Sequence, residues 1–433
     1  MQLARRLYRI DSRTLTGKAK QVAAAMWLEA RHGKAEILEA YLNLAPYGSN
    51  IEGIEAASLV YFGKRADRLL LPEALALAVI PQNPNRRGTE ALQAAWPKAL
   101  GAARERLWSS WVAKHAGDAT PSNLAALALP LQLRSTKQLP FGAPHAVQAA
   151  LKRPADDADT AQVNLSIHAP TQLAVERAIR QFIATRRGQG VNNAAAILVD
   201  TQTMRVRAHV GSANFADAAI DGQVDATTAK RSPGSTLKPF IYGLALDQGV
   251  LHPRSILKDA PTAFGTYNPE NFDGRFEGPI TAQDALVKSR NVPAVAVSAR
   301  LTKPTLYEFL KQAGVGQLAS EQHYGLALTL GGGEVSMQEL ATLYAMLANG
   351  GQLKPLAHTL SNTPPATQRL LSAEAAYITL DMLQANPRPD TGQRAFPKVA
   401  WKTGTSWGFR DAWTAGVFGR YVLVVWVGNF DGS

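Results

Sequence analysis

Two strand hairpins, set far apart in the chain with helical sequence between them, constrain this fold more than any other feature. Ala194-Ala195-Ala196-Ile197-Leu198-Val199 and Arg205 to Gly211 flank Thr201-Gln202-Thr203. Near the other end, Ala412 to Phe418 and Tyr421 to Gly428 flank Gly419-Arg420. Apolar runs of strand length joined by short polar turns read as antiparallel hairpins. Hairpins at both ends of a region with helices between predict one antiparallel sheet covered by helices.

The 433 residues exceed one typical domain. Residues 1–113 read as helical. Lys20 to Leu44 places Met26, Leu28, Ile37, Leu38, Tyr41 and Leu42 at helical spacing, with no proline before Pro46. Pro46-Tyr47-Gly48-Ser49-Asn50 is a turn cluster, and Glu55 to Tyr61 and Pro72 to Ile80 resume the helical pattern. From Gly117 to Ala155, Pro121, Pro130, Pro140, Pro144 and Pro154 break any long helix, and Asp156-Asp157-Ala158-Asp159 is polar. This is a linker with short structured pieces. Thr171 to Arg187 predicts an amphipathic helix. The organisation expected is therefore 1–113, a linker region 114–190, and a strand-bounded domain 191–433.

Hydrophobic residues at 46% and charged residues at 18% supply a core and exclude disorder. With no cysteine, disulfides and thiolate metal sites are excluded. The net charge of +12 admits nucleic acid, anionic lipid or an acidic polymer as partner, and equally a merely solvated surface. No membrane span is present: Leu69 to Pro81 is interrupted by Pro72 and Glu73. Met1 to Ile10 carries Arg5, Arg6 and Arg9 without an apolar core, so it is no secretory signal.

A serine can be activated by a lysine three residues later, because such a pair shares a helix face and burial lowers the amine's pKa. Ser-x-x-Lys occurs at Ser235/Lys238 and at Ser255/Lys258. Ser235 follows the breaker Pro233-Gly234 and precedes the apolar run Phe240, Ile241, Tyr242, Leu244, Leu246, so a buried helix is predicted there. Ser255 lies between Pro253 and Pro261 and reads as a loop residue. Ser-x-Asn occurs at Ser212/Asn214, directly after a strand, and at Ser289-Arg290-Asn291, between the helical stretch Ala282 to Lys288 and Pro293. The second can place a hydroxyl and an amide on the lysine and on a substrate amide. Lys402-Thr403-Gly404, with Thr405, opens the last strands. Lys402 can supply a cation for a carboxylate, Gly404 close backbone approach, and a strand N–H part of an oxyanion hole.

Other chemistries fit less well. Gly404-Thr405-Ser406-Trp407-Gly408 matches the hydrolase elbow, but that triad needs a histidine after the serine and the last histidine is His358. The eight histidines are scattered, with no metal-binding pair. Gly331-Gly332-Gly333 lacks the setting of a phosphate loop and reads as a turn before a helix from Glu334 to Leu347. Trp27, Trp108 and Trp111 read as core rather than a sugar platform, and Glu36/Glu39 and Glu52/Glu55 as solvated faces.

Ser-x-x-Lys, Ser-x-Asn and Lys-Thr-Gly in this order form the motif set of penicillin-binding proteins and class A β-lactamases. With Arg290 in the middle of the second element, only its outer residues match. The chain resembles the bifunctional class A penicillin-binding proteins, most of all their 1C type. The resemblance is carried by Arg231 to Asp247, Asn268-Pro-Glu-Asn-Phe-Asp273, Ala285 to Val295 and Lys402 to Trp413. Ile37 to Asn43, Gly53 with Ala56-Ala57, and Tyr61-Phe-Gly-Lys64 resemble the end of the family's glycosyltransferase domain.

The resemblance implies a multidomain α and α+β protein. A remnant of a helical, lysozyme-like glycosyltransferase domain would precede a transpeptidase domain with a helix-covered antiparallel sheet. It implies peptidoglycan synthesis by a D,D-transpeptidase: Lys238 deprotonates Ser235, Ser235 attacks the D-Ala-D-Ala carbonyl of a stem peptide, and the acyl group passes to a neighbouring amine. Backbone N–H groups of Ser235 and Thr405 would hold the oxyanion. Ser289 and Asn291 would relay the proton and orient the peptide. Lys402, Thr403, Gly404 and Thr405 would bind the terminal carboxylate. Stem peptides, lipid-linked precursor and β-lactams are the implied partners. No metal, cofactor or nucleic acid is implied, and the place is the periplasmic face of the inner membrane. The family's main catalytic glutamate and its anchor have no match here, and Gln21 stands where many relatives carry a second glutamate. A copy truncated at both ends that does not polymerise glycan is therefore expected. A D,D-carboxypeptidase or β-lactamase, and a non-catalytic scaffold, are the alternatives.

Overall fold

The structure, a computed structural model, describes residues 1–48, 50–88, 98–129, 131, 133–136, 139, 141–152, 163–360, 366–389 and 398–433. Ser49, Pro130, Pro140, Pro154 and the acidic stretch 156–159 lie outside the described residues. The chain divides into two compact units, Met1–Phe141 and Gly142–Ser433. Among the described residues no helix is long and apolar enough to cross a membrane.

The first unit is helical. The helical spacing over Lys20 to Leu44 is carried by two helices, Leu15–Arg31 and Lys34–Leu44. Gly33 N-caps the second in extended backbone, and its N–H is taken by the Glu36 carboxylate at 3.1 Å. A local capping bond thus overrides a continuous apolar spacing. Ile54–Phe62 and Leu71–Val79 bury Tyr61, Leu77 and Ile80, and Tyr61 donates from its hydroxyl to the Tyr47 carbonyl at 2.5 Å. Trp27 and Trp111 are not core, contrary to expectation; they are 46% and 45% exposed. Trp27 is covered by the Arg31 guanidinium, and Trp111 stacks on His115 and donates to Asp118. Such amphipathic contacts satisfy an indole at the surface.

The second unit is built on a five-stranded antiparallel sheet. Its order is Val206–Val210, Asn193–Asp200, Tyr421–Gly428, Asp411–Phe418, Ala400–Thr405. Both predicted hairpins form, and Asn193–Asp200 pairs with Tyr421–Gly428 along its whole length. Its strands alternate. Ala195, Ile197 and Val199, with Val422, Val424 and Trp426, join the core beneath the helices Lys238–Asp247 and Met337–Ala348. Ala194, Ala196 and Val210 turn the other way and bury Ile179 and Ile183 of the helix Ala169–Arg186. Helices on both faces explain why Ala194 to Val199 is apolar throughout. The helix predicted from Glu334 begins at Met337, because Ser336 and Glu339 form a capping box.

Candidate active site

The nucleophile candidate lies on a tight turn, held from several sides. Gly234–Leu237 is 3₁₀, and the α-helix begins at Lys238 instead of before Ser235, where it was expected. Three residues per 3₁₀ turn still align Ser235 with Lys238. Trp413 Nε1 donates to the Ser232 carbonyl at 2.9 Å, and Tyr344 donates to the Thr236 carbonyl at 2.9 Å. Gly234 has φ +52°, and a Cβ there would lie 2.4 Å from the Thr405 carbonyl oxygen. A Cβ on Gly404 would lie 2.2 Å from the Pro233 carbonyl oxygen. Glycine at both positions lets the strand Ala400–Thr405 lie directly on the turn. Ser235 is half-buried, and its hydroxyl makes no hydrogen bond among the described residues.

The three sequence elements converge here. Lys238 is fully buried; its Nζ donates to Asn291 Oδ1 at 2.6 Å and to the Ser289 carbonyl at 2.7 Å. Weaker contacts reach the Arg290 carbonyl at 3.3 Å and Ser289 Oγ at 3.4 Å. Lys402 Nζ, equally buried, donates to Ser289 Oγ at 2.7 Å and to the Thr403 carbonyl at 3.1 Å. Ser289 thus bridges two amines, and it does so with φ +59°, a left-handed conformation strained for a serine. Thr403 and Thr405 alternate onto the open side of the strand, while Gly404 faces the turn.

Burial pushes the Lys238 amine well below the ordinary lysine range, the charges of Lys402 and Arg290 push the same way, and Asp259 opposes them. Burial lowers Lys402 from 10.5 to about 7. A lysine whose folded pKa is depressed binds fewer protons than its unfolded form between the two values, so stability rises with pH across that window. Below about 7 both states are protonated and the penalty is complete. Between pH 7 and about 10, the wild type should therefore gain stability over Lys402→Met, on the order of 3–5 kcal/mol. Urea unfolding midpoints of the two proteins across this range measure it; parallel curves would contradict it.

The competing candidates have structural roles. Ser255 Oγ accepts from the His252 N–H at 2.9 Å within a turn, and Lys258 is exposed on the strand Ile256–Asp259. Ser406 Oγ accepts from the Asp411 N–H at 2.9 Å, closing the connection between two strands. Ser212 donates to the Gly222 carbonyl at 2.6 Å. Among the described residues no group of His, Cys, Asp or Glu is placed to hold a metal ion.

Sequence reasoning missed two supports. Gly331 backs the nucleophile turn: a Cβ there would lie 2.5 Å from Gly234 N, and its carbonyl accepts from Ser232 Oγ at 2.7 Å. Arg231 reaches Asp411 at 3.1 Å and lies over the Trp426 ring, tying the turn to the sheet. No periodicity marks either contact, since each joins segments distant in the chain.

The chain is similar to known proteins along nearly its whole length. The family model described as "Penicillin binding protein transpeptidase domain" matches residues 194–426, and that described as "Transglycosylase" matches residues 1–106. Penicillin-binding protein 1C of Escherichia coli is 36% identical over all of this chain and 55% of its own length. Penicillin-binding protein 1F of Bacillus subtilis is 28% identical over 99% of this chain and 62% of its own. The chain thus spans less than two thirds of the length of these relatives. The crystal structure of penicillin-binding protein 1A from Haemophilus influenzae superposes with a TM-score of 0.63 at 19% identity, covering 93% of this chain and 82% of that one. The PonA1 protein from Mycobacterium tuberculosis, solved in complex with penicillin V, gives 0.57 at 20% identity, covering 67% and 86%. These two likenesses speak for the fold.

Proposed function

This chain belongs to the penicillin-binding proteins that join a transglycosylase segment to a transpeptidase domain, and from that premise we propose that residues 191–433 act as a serine D,D-transpeptidase in peptidoglycan synthesis. The observation that carries the proposal is the short pair of bonds from Lys238 Nζ to Asn291 Oδ1 and to the Ser289 carbonyl. A neutral amine has two N–H groups and one lone pair. Two short bonds occupy both N–H groups and leave the lone pair for the Ser235 proton. Burial favours that neutral form.

Ser235 Oγ then attacks the carbonyl between the two terminal D-alanines of a stem peptide. Backbone N–H groups of Ser235 and Thr405 face the developing oxyanion. Lys402, with Thr403 and Thr405 on the open side of its strand, receives the terminal carboxylate. The proton taken by Lys238 passes by way of Ser289 to the departing D-alanine nitrogen. An amine of a second stem peptide then attacks the acyl-enzyme and restores Ser235. A β-lactam amide enters the same path as the donor and stays on Ser235. The periplasmic face of the inner membrane, where such substrates lie, is the proposed place of action.

The test is acyl transfer from a donor ending in D-Ala-D-Ala with an acceptor amine present. The amide product should form and rise with acceptor concentration. Hydrolysis alone, unaffected by acceptor, would instead make the protein a carboxypeptidase.

A further inference from the structure

Arg290, the residue at which the Ser-x-Asn element departs from the usual motif, is almost wholly buried. Its Nε donates to Asp259 Oδ2 at 2.7 Å, and Asp259 is completely inaccessible. Its other nitrogens reach Asp273 at 3.0 Å and the Arg275 carbonyl. Asp259 Oδ1 in turn accepts from Asn271 Nδ2 at 2.7 Å, and Asn271 Oδ1 accepts from the Asn291 N–H at 2.7 Å. Asn291 Nδ2 donates to the Glu270 carbonyl at 2.7 Å, which turns its Oδ1 towards Lys238. The chain of contacts closes on itself: Arg290, Asp259, Asn271, Asn291, and back to Arg290 along the backbone.

A buried ion pair adds little net stability over apolar packing, so its presence here calls for another reason. The strained backbone of Ser289 supplies one, since such a conformation persists only where its surroundings over-determine it. We propose that Arg290 and Asp259 are positioning residues for acyl transfer, holding Ser289 in its left-handed conformation and Asn291 Oδ1 on the Lys238 amine. This rests on the assignment of Lys238 as the base.

The pair also acts through charge. The charged groups facing Lys238 are Lys402 from the strand Ala400–Thr405, Arg290 from the turn before Asn291–Ser298, and Asp259 from the strand Ile256–Asp259. Tyr242, on the helix of Lys238 itself, is kept protonated by burial and by Asp259. Arg290 favours the neutral amine and Asp259 the ammonium, so removing one or the other moves the base in opposite directions.

The experiment is the pH dependence of acylation by a fluorescent penicillin for the wild type, Arg290→Gln, Asp259→Asn and the double variant. Arg290→Gln should lower the second-order rate constant about 10²-fold, the effect of a small misplacement of reacting groups, and move its acid limb to higher pH. Asp259→Asn should move that limb to lower pH, and the double variant should return it towards the wild-type position. Asp259→Asn, the isosteric change, carries the test alone if Arg290→Gln does not fold. Limbs that stay at the wild-type pH, with rates falling only as the folded fraction falls, would overturn the proposal and leave a purely structural pair. A wild type that forms no adduct on Ser235 would overturn the assignment of the site instead.

Discussion

Ser235→Ala abolishes covalent capture of a penicillin, and Ser255→Ala and Ser406→Ala retain it. The expected loss is complete, because an alanine leaves no atom to carry the acyl group. The other serines are excluded by position. Ser255 lies in the turn with His252, and Ser406 Oγ is committed to the Asp411 N–H. Ser406→Ala should cost about 1 kcal/mol of stability through that lost acceptor, without touching the chemistry. Intact-mass measurement of the adduct followed by peptide mapping decides the matter. An adduct on Ser406 would return the elbow-type hydrolase to consideration, although no histidine follows that residue in the sequence.

Lys238→Arg should lose acylation nearly as fully as Lys238→Ala, each by about 10²–10⁴-fold, the usual worth of a general base. The substitution keeps the positive charge and most of the length. It removes the one property the mechanism needs, since a guanidinium does not give up its proton in a protein. The enclosure of Lys238 sharpens the contrast: a buried amine is driven towards neutrality, whereas a buried guanidinium stays charged. The rate of labelling by a fluorescent penicillin, followed on protein whose melting temperature has been checked, gives the answer. An arginine variant that acylates at the wild-type rate would make Lys238 an electrostatic anchor and place the base elsewhere.

What could be read from the sequence was local. The hairpins at Asn193–Val210 and Asp411–Gly428 were legible because apolar runs and turn residues are properties of neighbouring positions. The Ser235/Lys238 spacing was legible for the same reason, although the turn that carries it is 3₁₀ and not α. The break at His32–Gly33 was hidden, because apolar spacing continues across it while a capping bond ends the helix. The frame behind Asn291 was hidden more deeply. Arg290 and Asp259 are charged residues that sequence patterns assign to solvent, and only the folded chain brings them together. Gly331 likewise read as an ordinary turn, since its partner Gly234 lies far upstream.

The strand order also fixes a timetable. Tyr421–Gly428, the last of the five strands to leave the ribosome, sits between Asn193–Asp200 and Asp411–Phe418, in the middle of the sheet. Until it arrives, the hairpin Asn193–Val210 keeps an open edge. Contacts between such distant segments form slowly, because a long loop must close before they repay it. Nascent chains of this protein therefore carry an unpaired strand edge from the completion of Val210 until Tyr421–Gly428 is made, the condition in which chains associate with one another. Ser235 is thus translated well before the strand that completes the sheet of its unit.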